Sequence, residues 1–231
     1  MTVILILATF VIFLTIDYFY SKRHAPVAAV EAQREPLARL VPKLVNGFAL
    51  PENLRYHMGH TWALSESPNL VRVGVDDFAS RLIGRADGAA LPKRGQWIRQ
   101  GQRLWSVERN GVKTEMVSPI EGVVTEINEA VVQDPMLALR DPYGEGWLIT
   151  VQAPDAKTNF RNLLSGAVAR KWMEEAAARL RARLDKLGLA DGLAPTAALA
   201  QDGGVAVTDI CPAADDKPEA WGEVTREFFL S

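Results

Sequence analysis

The chain has a single cysteine, Cys211, among 231 residues. A lone thiol excludes an intrachain disulfide and any thiolate cluster for zinc or iron–sulfur. Histidine is scarce as well, with three in all: His24, His57 and His60. His57 and His60 are three apart and could share a face, but a third ligand is missing, so no metal site is expected. Charge of one sign is also lacking. With 26 basic and 28 acidic residues the formal net charge is −2, and no basic run offers a footprint for nucleic acid. There is no catalytic triad signature, no phosphate-cradling glycine loop and no recognisable pair of carboxylates. The chain is therefore not expected to be an enzyme by itself.

What is present begins with the first twenty residues, "MTVILILATFVIFLTIDYFY", apolar apart from threonines and Asp17. At about 1.5 Å per residue they span roughly 30 Å as a helix, the hydrocarbon thickness of a bilayer. Basic residues follow the run, in Ser21-Lys22-Arg23-His24, rather than preceding it as in a cleaved signal peptide. Residues 1–21 thus read as a single transmembrane anchor in contact with lipid through residues 1–20. The positive-inside rule puts the rest of the chain on the cytoplasmic side of a cell inner membrane. Residues 22–54, interrupted by Pro26, Pro36, Pro42 and Pro51, read as a tether.

Residues 55–187 read as one folded domain. Strand-like runs occupy Leu70–Val75, Gln102–Glu108, Val112–Val117, Gly122–Ile127 and Gly146–Gln152, separated by turn residues such as Asn110-Gly111. Short strands at this spacing predict a small antiparallel sandwich or barrel. Asp76–Gly84 predicts a short helix with a glycine cap. Ser165–Gly188 predicts a longer one, with Trp172, Ala176, Leu180, Leu184 and Leu187 as its apolar stripe. Arg179, Arg181, Arg183 and Lys186 on that helix read as a solvated basic face. Residues 188–231 are rich in Ala, Gly, Pro and Asp and read as a flexible tail. Its exceptions are Trp221 and Phe228-Phe229-Leu230, which either pack back on the domain or dock on a partner.

Four stretches carry a family resemblance: "HTW" (His60–Trp62), "VRVGVDDFASRLIG" (Val71–Gly84), "SPIEGVVTEINEAV" (Ser118–Val131) and "DPYGEGWLITV" (Asp141–Val151). In this order they resemble the H protein of the glycine cleavage system, over roughly residues 56–180. The resemblance implies a mainly β fold with flanking helices, a lipoyl or barrel-sandwich hybrid domain of H-protein type. It also implies a lipoyl carrier that shuttles an aminomethyl group between enzymes.

The resemblance puts the lipoylated lysine seven residues before the serine of the Ser-Pro pair. Here that position is Gly111, and the only lysine between Lys93 and Lys157 is Lys113. Asn-Gly is a strong signal for a type I′ turn, whose two central residues have φ > 0. That register sets Arg109 opposite Val112 and Glu108 opposite Lys113, so Lys113 is expected inside the ladder, paired with Glu108. A second departure is Thr61, where the family's opening motif has glutamate.

The preferred reading is a membrane-anchored, H-protein-like scaffold or adaptor facing the cytoplasm, without lipoate. Its protein partners are unidentified, glycine cleavage enzymes among the candidates. The alternative is a working carrier with lipoate on Lys113. A third reading, the periplasmic adaptor of an export system, requires the opposite topology and a coiled-coil hairpin that the sequence lacks.

Overall fold

The runs of β-branched residues do form strands, and turn residues set their ends. A computed structural model of the chain describes residues 43–187 and 218–230, all within one compact unit, Leu37–Ser231. The elements begin with β1 (Lys43–Val45), β2 (Phe48–Leu50), β3 (Arg55–His57), β4 (Thr61–Ser67), β5 (Leu70–Val75) and α1 (Asp77–Ile83). There follow β6 (Gly88–Ala90), β7 (Trp97–Ile98), β8 (Arg103–Arg109), β9 (Val112–Val117) and β10 (Gly122–Ile127). The described residues end with α2 (Glu129–Gln133), α3 (Met136–Arg140), β11 (Ile149–Gln152), α4 (Ala156–Arg161), α5 (Gly166–Lys186) and α6 (Pro218–Phe229).

The strands form a six-stranded sheet, β3-β4-β5-β11-β10-β7, a three-stranded sheet, β6-β8-β9, and the β1–β2 hairpin. The strand pairs are antiparallel. The architecture is mainly β with flanking helices, as expected. Its core includes Trp62, Val73, Phe78, Ile98, Met116, Ile120, Val124 and Ile149, all with no more than traces of exposure. Trp62 lies across the ladder from Gly74. A Cβ at Gly74 would come within 2.4 Å of the indole, so only glycine leaves room for the ring. The indole N–H then donates to Pro142 O at 3.0 Å, tying the Asp141–Gly146 loop to the sheet. A Cβ at Gly146 would meet Asp141 O and Leu137 O at 2.5 Å, which is why this loop needs glycine there.

The expected strands Leu70–Val75, Val112–Val117 and Gly122–Ile127 have the ends read from the sequence. The expected helix Asp76–Gly84 is α1, with the Asp76 carboxylate accepting from Ala79 N and Gly84 closing it at φ 66°. Other expectations change. The tether does not extend to residue 54, because β1 and β2 pair around Asn46-Gly47 and bury Val45, Phe48, Leu50 and Leu54 in the core. The last strand of the sheet is shorter than Gly146–Gln152, since the chain from Asp141 to Gly146 is turn and β11 begins at Ile149. On α5 the buried stripe is Ala169, Met173, Ala176, Ala177, Leu180 and Leu184. Trp172 sits at its edge against His60, with ring centroids 4.7 Å apart.

Of the tail expected to be flexible, residues 188–217 lie outside the described residues, and its C-terminal part is ordered. Residues 218–229 form α6, which buries Trp221, Val224, Thr225, Phe228 and Phe229 against the domain. The apolar end packs back on its own chain. The expected anchor, residues 1–21, lies outside the described residues, as does most of the tether. Among the described residues no helix is long and apolar enough to cross a membrane.

Candidate functional site

The β8–β9 hairpin is the part of the fold where a carrier arm would be sought. Its turn has Asn110 at φ 49° and Gly111 at φ 75°, both left-handed, as a type I′ turn requires. Arg109 faces Val112 and Glu108 faces Lys113, the register read from Asn-Gly. Gly111, the position where the resemblance places the arm, carries no amine, although a Cβ there would meet open space.

Lys113 is a ladder residue, and its side chain is 62 % exposed. The ion pair expected with Glu108 is not the one formed. Lys113 Nζ lies 3.8 Å from Glu115 Oε1 on its own strand, and Arg103 approaches the same carboxylate at 3.1 Å. Residues 113 and 115 share one face of the strand, so Glu115 was in reach by period two alone. Such exposed pairs contribute little, about 0–1 kcal/mol. Lys113 is therefore held loosely, while the tip two residues away is held firmly.

That firmness comes from contacts that the hairpin register alone does not reveal. Arg109 is buried, donates from its guanidinium to Ile83 O at 2.8 Å, and lies over the Trp221 ring at 5.9 Å. Asp87 Oδ2 accepts from Asn110 N at 2.8 Å. This backbone donor holds the Asp87 carboxyl below its ordinary pKa, with Arg85 and Arg109 adding to it against desolvation. Neither contact has a sequence signal, because each joins residues more than twenty positions apart. Replacing Arg109 with Ala removes a charge-assisted bond and strips a buried carbonyl of this donor. The expected loss is about 2 kcal/mol, read as a lower urea midpoint at constant m-value.

The hairpin's exit is built as its sequence suggests. Ser118 is fully buried and its Oγ donates to Ile120 O at 2.7 Å, while Asn159 Oδ1 accepts from Glu121 N at 2.9 Å. Beside the hairpin, His60 and Asp76 form a buried pair, with Nδ1 2.9 Å from Oδ2. The imidazole stacks on Phe78 at 4.0 Å. His60 Nε2 and the neighbouring Thr61 Oγ1 are buried without a hydrogen-bond partner. The two histidines do not converge as ligands: His57 Nδ1 accepts from Gly59 N. Burial, and after it the charge of His60, lowers the His57 pKa. Among the described residues there is no group of three or more His, Cys, Asp or Glu placed to hold a metal.

The geometry thus has a mainly β framework around an amine-free tip. A family model described as "Glycine cleavage H-protein" matches residues 54–176, and the chain belongs to that family. The glycine cleavage system H protein of Anaeromyxobacter sp. (strain K) is 34% identical over 126 residues, covering 54% of this chain and 97% of the relative. That of Legionella pneumophila (strain Corby) is 38% identical over 113 residues, covering 49% and 89%. A crystal structure of a glycine cleavage system H protein from Mycobacterium marinum aligns with TM-score 0.42 and 30% identity, over 46% of this chain and 87% of that one.

As to lipoate, the residues at the tip do not fit an amide-linked arm. Gly111 has the space and no nucleophile. The hairpin's one amine, Lys113, lies in the ladder beside Glu115.

Proposed function

We propose that this protein is a membrane-anchored H-protein-like adaptor whose hairpin carries no lipoyl arm. One observation carries the reading: a left-handed Asn110-Gly111 tip, tied down by Arg109 and Asp87, occupies the arm's position. A swinging arm needs a tip lysine that projects and moves, and here the tip has neither the amine nor the freedom. The apolar run at residues 1–20, with its basic flank at Lys22 and Arg23, supports an inner-membrane anchor with the domain in the cytoplasm. Protease protection in inverted and right-side-out vesicles tests that topology. Cleavage of the domain only in right-side-out vesicles would overturn it.

A second reading has its own observation. Lys113 is well exposed and its pairing at 3.8 Å is weak, so a ligase that tolerates a two-residue shift would find a free amine. In that reading the protein is a working carrier of the glycine cleavage type, and lipoamide supplies the transfer chemistry while the protein positions it. Lys113→Arg against wild type, probed with an anti-lipoyl antibody, separates the two: a wild-type signal lost in the variant establishes the carrier.

A further inference from the structure

Between β6 and β8 the chain makes the same turn twice, as Lys93-Arg94-Gly95-Gln96 and as Arg99-Gln100-Gly101-Gln102. In each, the last residue's N–H donates to the first residue's carbonyl at 3.1 Å. The third residue is a left-handed glycine, Gly95 at φ 82° and Gly101 at φ 76°, as a type II turn requires. The glutamine side chain then folds back. Gln96 Oε1 accepts from Lys93 N and Gln102 Oε1 from Arg99 N, each at 3.0 Å.

Both turns are also fastened to their surroundings. Gly95 N donates to Val124 O at 2.7 Å, and Gly101 N to Ser118 O at 2.8 Å. Gln100 Nε2 donates to Pro119 O and Asn159 O. None of these bonds uses the side chains of Lys93, Arg94 or Arg99. All three residues are exposed, and among the described residues no ion pair holds them. Residues 88–107 include no acid, and their fourth base, Arg103, is already paired with Glu115.

Between the two turns lies β7, at the edge of the six-stranded sheet, and its two residues face opposite ways. Ile98 is fully buried, whereas Trp97, opposite Val123, is 50 % exposed. Of the six tryptophans it alone is exposed. A half-wet indole flanked by cations on rigid turns has the chemistry for an anionic surface with an apolar layer beneath. The indole suits the boundary between headgroups and acyl chains, and the cations suit the phosphates. Because the turns are preorganised, contact orders little besides the basic side chains.

We propose that residues 93–102 form a docking ridge for the anionic headgroups of a bilayer and hold the domain against the membrane surface. Charge complementarity calls for an anionic occupant, and the apolar run at residues 1–20 makes the bilayer the one at hand. The inference deepens the adaptor reading and rests on its membrane anchor; it is independent of whether Lys113 is modified.

The test reconstitutes the full-length protein into vesicles of brominated phosphatidylcholine, alone or mixed with phosphatidylglycerol, and reads tryptophan fluorescence. The first tryptophan is Trp62, so quenching reports on the domain and not on the anchor. Quenching is expected in the mixed vesicles and is expected to disappear in Trp97→Phe. Each base near an anionic surface favours contact about fivefold, so Lys93→Gln/Arg94→Gln/Arg99→Gln is expected to lower the docked-to-free ratio about a hundredfold. Raised salt is expected to release wild type as well, which keeps the test decisive if a variant does not fold. Flotation with phosphatidylcholine vesicles reads the anchor separately. A protein that floats but shows no Trp97 quenching in the mixed vesicles overturns the ridge and leaves the anchor standing. One that does not float overturns both. Equal quenching with and without phosphatidylglycerol overturns the proposal too, since charge would then play no part. An unquenched Trp97 together with a protein partner, a second copy included, that the triple variant loses would assign the ridge to protein and overturn it.

Discussion

Gly111→Lys is expected to turn an unmodified protein into a lipoylated one. Incubated with a lipoate ligase, lipoate and ATP, the variant should gain the lipoyl mass on most molecules, and wild type on none. The framework around the tip is that of the family matched over residues 54–176, and a side chain at residue 111 would project into open space. What the tip lacks is the amine. The substitution has a cost, because Gly111 has φ 75° and a residue with a Cβ in that region loses about 1–2 kcal/mol. The Arg109 and Asp87 contacts keep the hairpin in place against that strain. Modification of wild type at Lys113 under the same conditions would show that the strand position serves, and would reverse the assignment.

Gly122→Ala is expected to have the largest effect on stability. Gly122 follows the Ser-Pro corner with φ 155°, and a Cβ there would lie 2.2 Å from Gln152 O and 2.9 Å from the Val151 side chain. The first clash is with the backbone of β11, which pairs with β10 in the middle of the six-stranded sheet. It cannot be relieved by turning a side chain. Overpacking and a glycine-only backbone region each cost about 1–3 kcal/mol, so a loss of about 3 kcal/mol is expected. For a domain of this size that is a fall in Tm of roughly 6–12 °C, measurable by differential scanning calorimetry. A fall below about 2 °C would mean that β10 and β11 separate more easily than their geometry implies.

These two glycines also mark what could be read in advance. The hairpin register followed from Asn110-Gly111 because a type I′ turn leaves one pairing open to its flanks. The ends of β5, β9 and β10 followed from alternating Val, Ile and Thr between turn residues. Asn46-Gly47 is the same turn signal, and the β1–β2 hairpin it closes was masked by Pro42 and Pro51, which suggested a tether. Strand β11 is shorter than its sequence suggests, because Trp147 and Leu148 look like strand while the loop from Asp141 is folded back by the Trp62 bond to Pro142 O.

The site was less accessible because its contacts are long-range. The Arg109–Ile83 and Asn110–Asp87 bonds and the His60–Asp76 pair join residues 16 to 26 positions apart. The seat of α6 joins residues more than a hundred apart, as in the Thr114–Thr225 contact. Trp221 and the terminal phenylalanines announced an apolar end, but its destination depends on a groove assembled from three elements. Composition of the tail as a whole pointed the other way, toward flexibility.

The claim that the hairpin has lost its arm is tested most directly by the intact mass of the full-length protein. It should be purified from its own cells or from a host with active lipoate attachment, with peptide mapping over residues 103–117. The expected mass is that of the unmodified chain, with Lys113 unmodified in the mapped peptide. A lipoyl increment on Lys113 in most molecules would contradict the account and make this protein a carrier with its arm moved two residues along the strand.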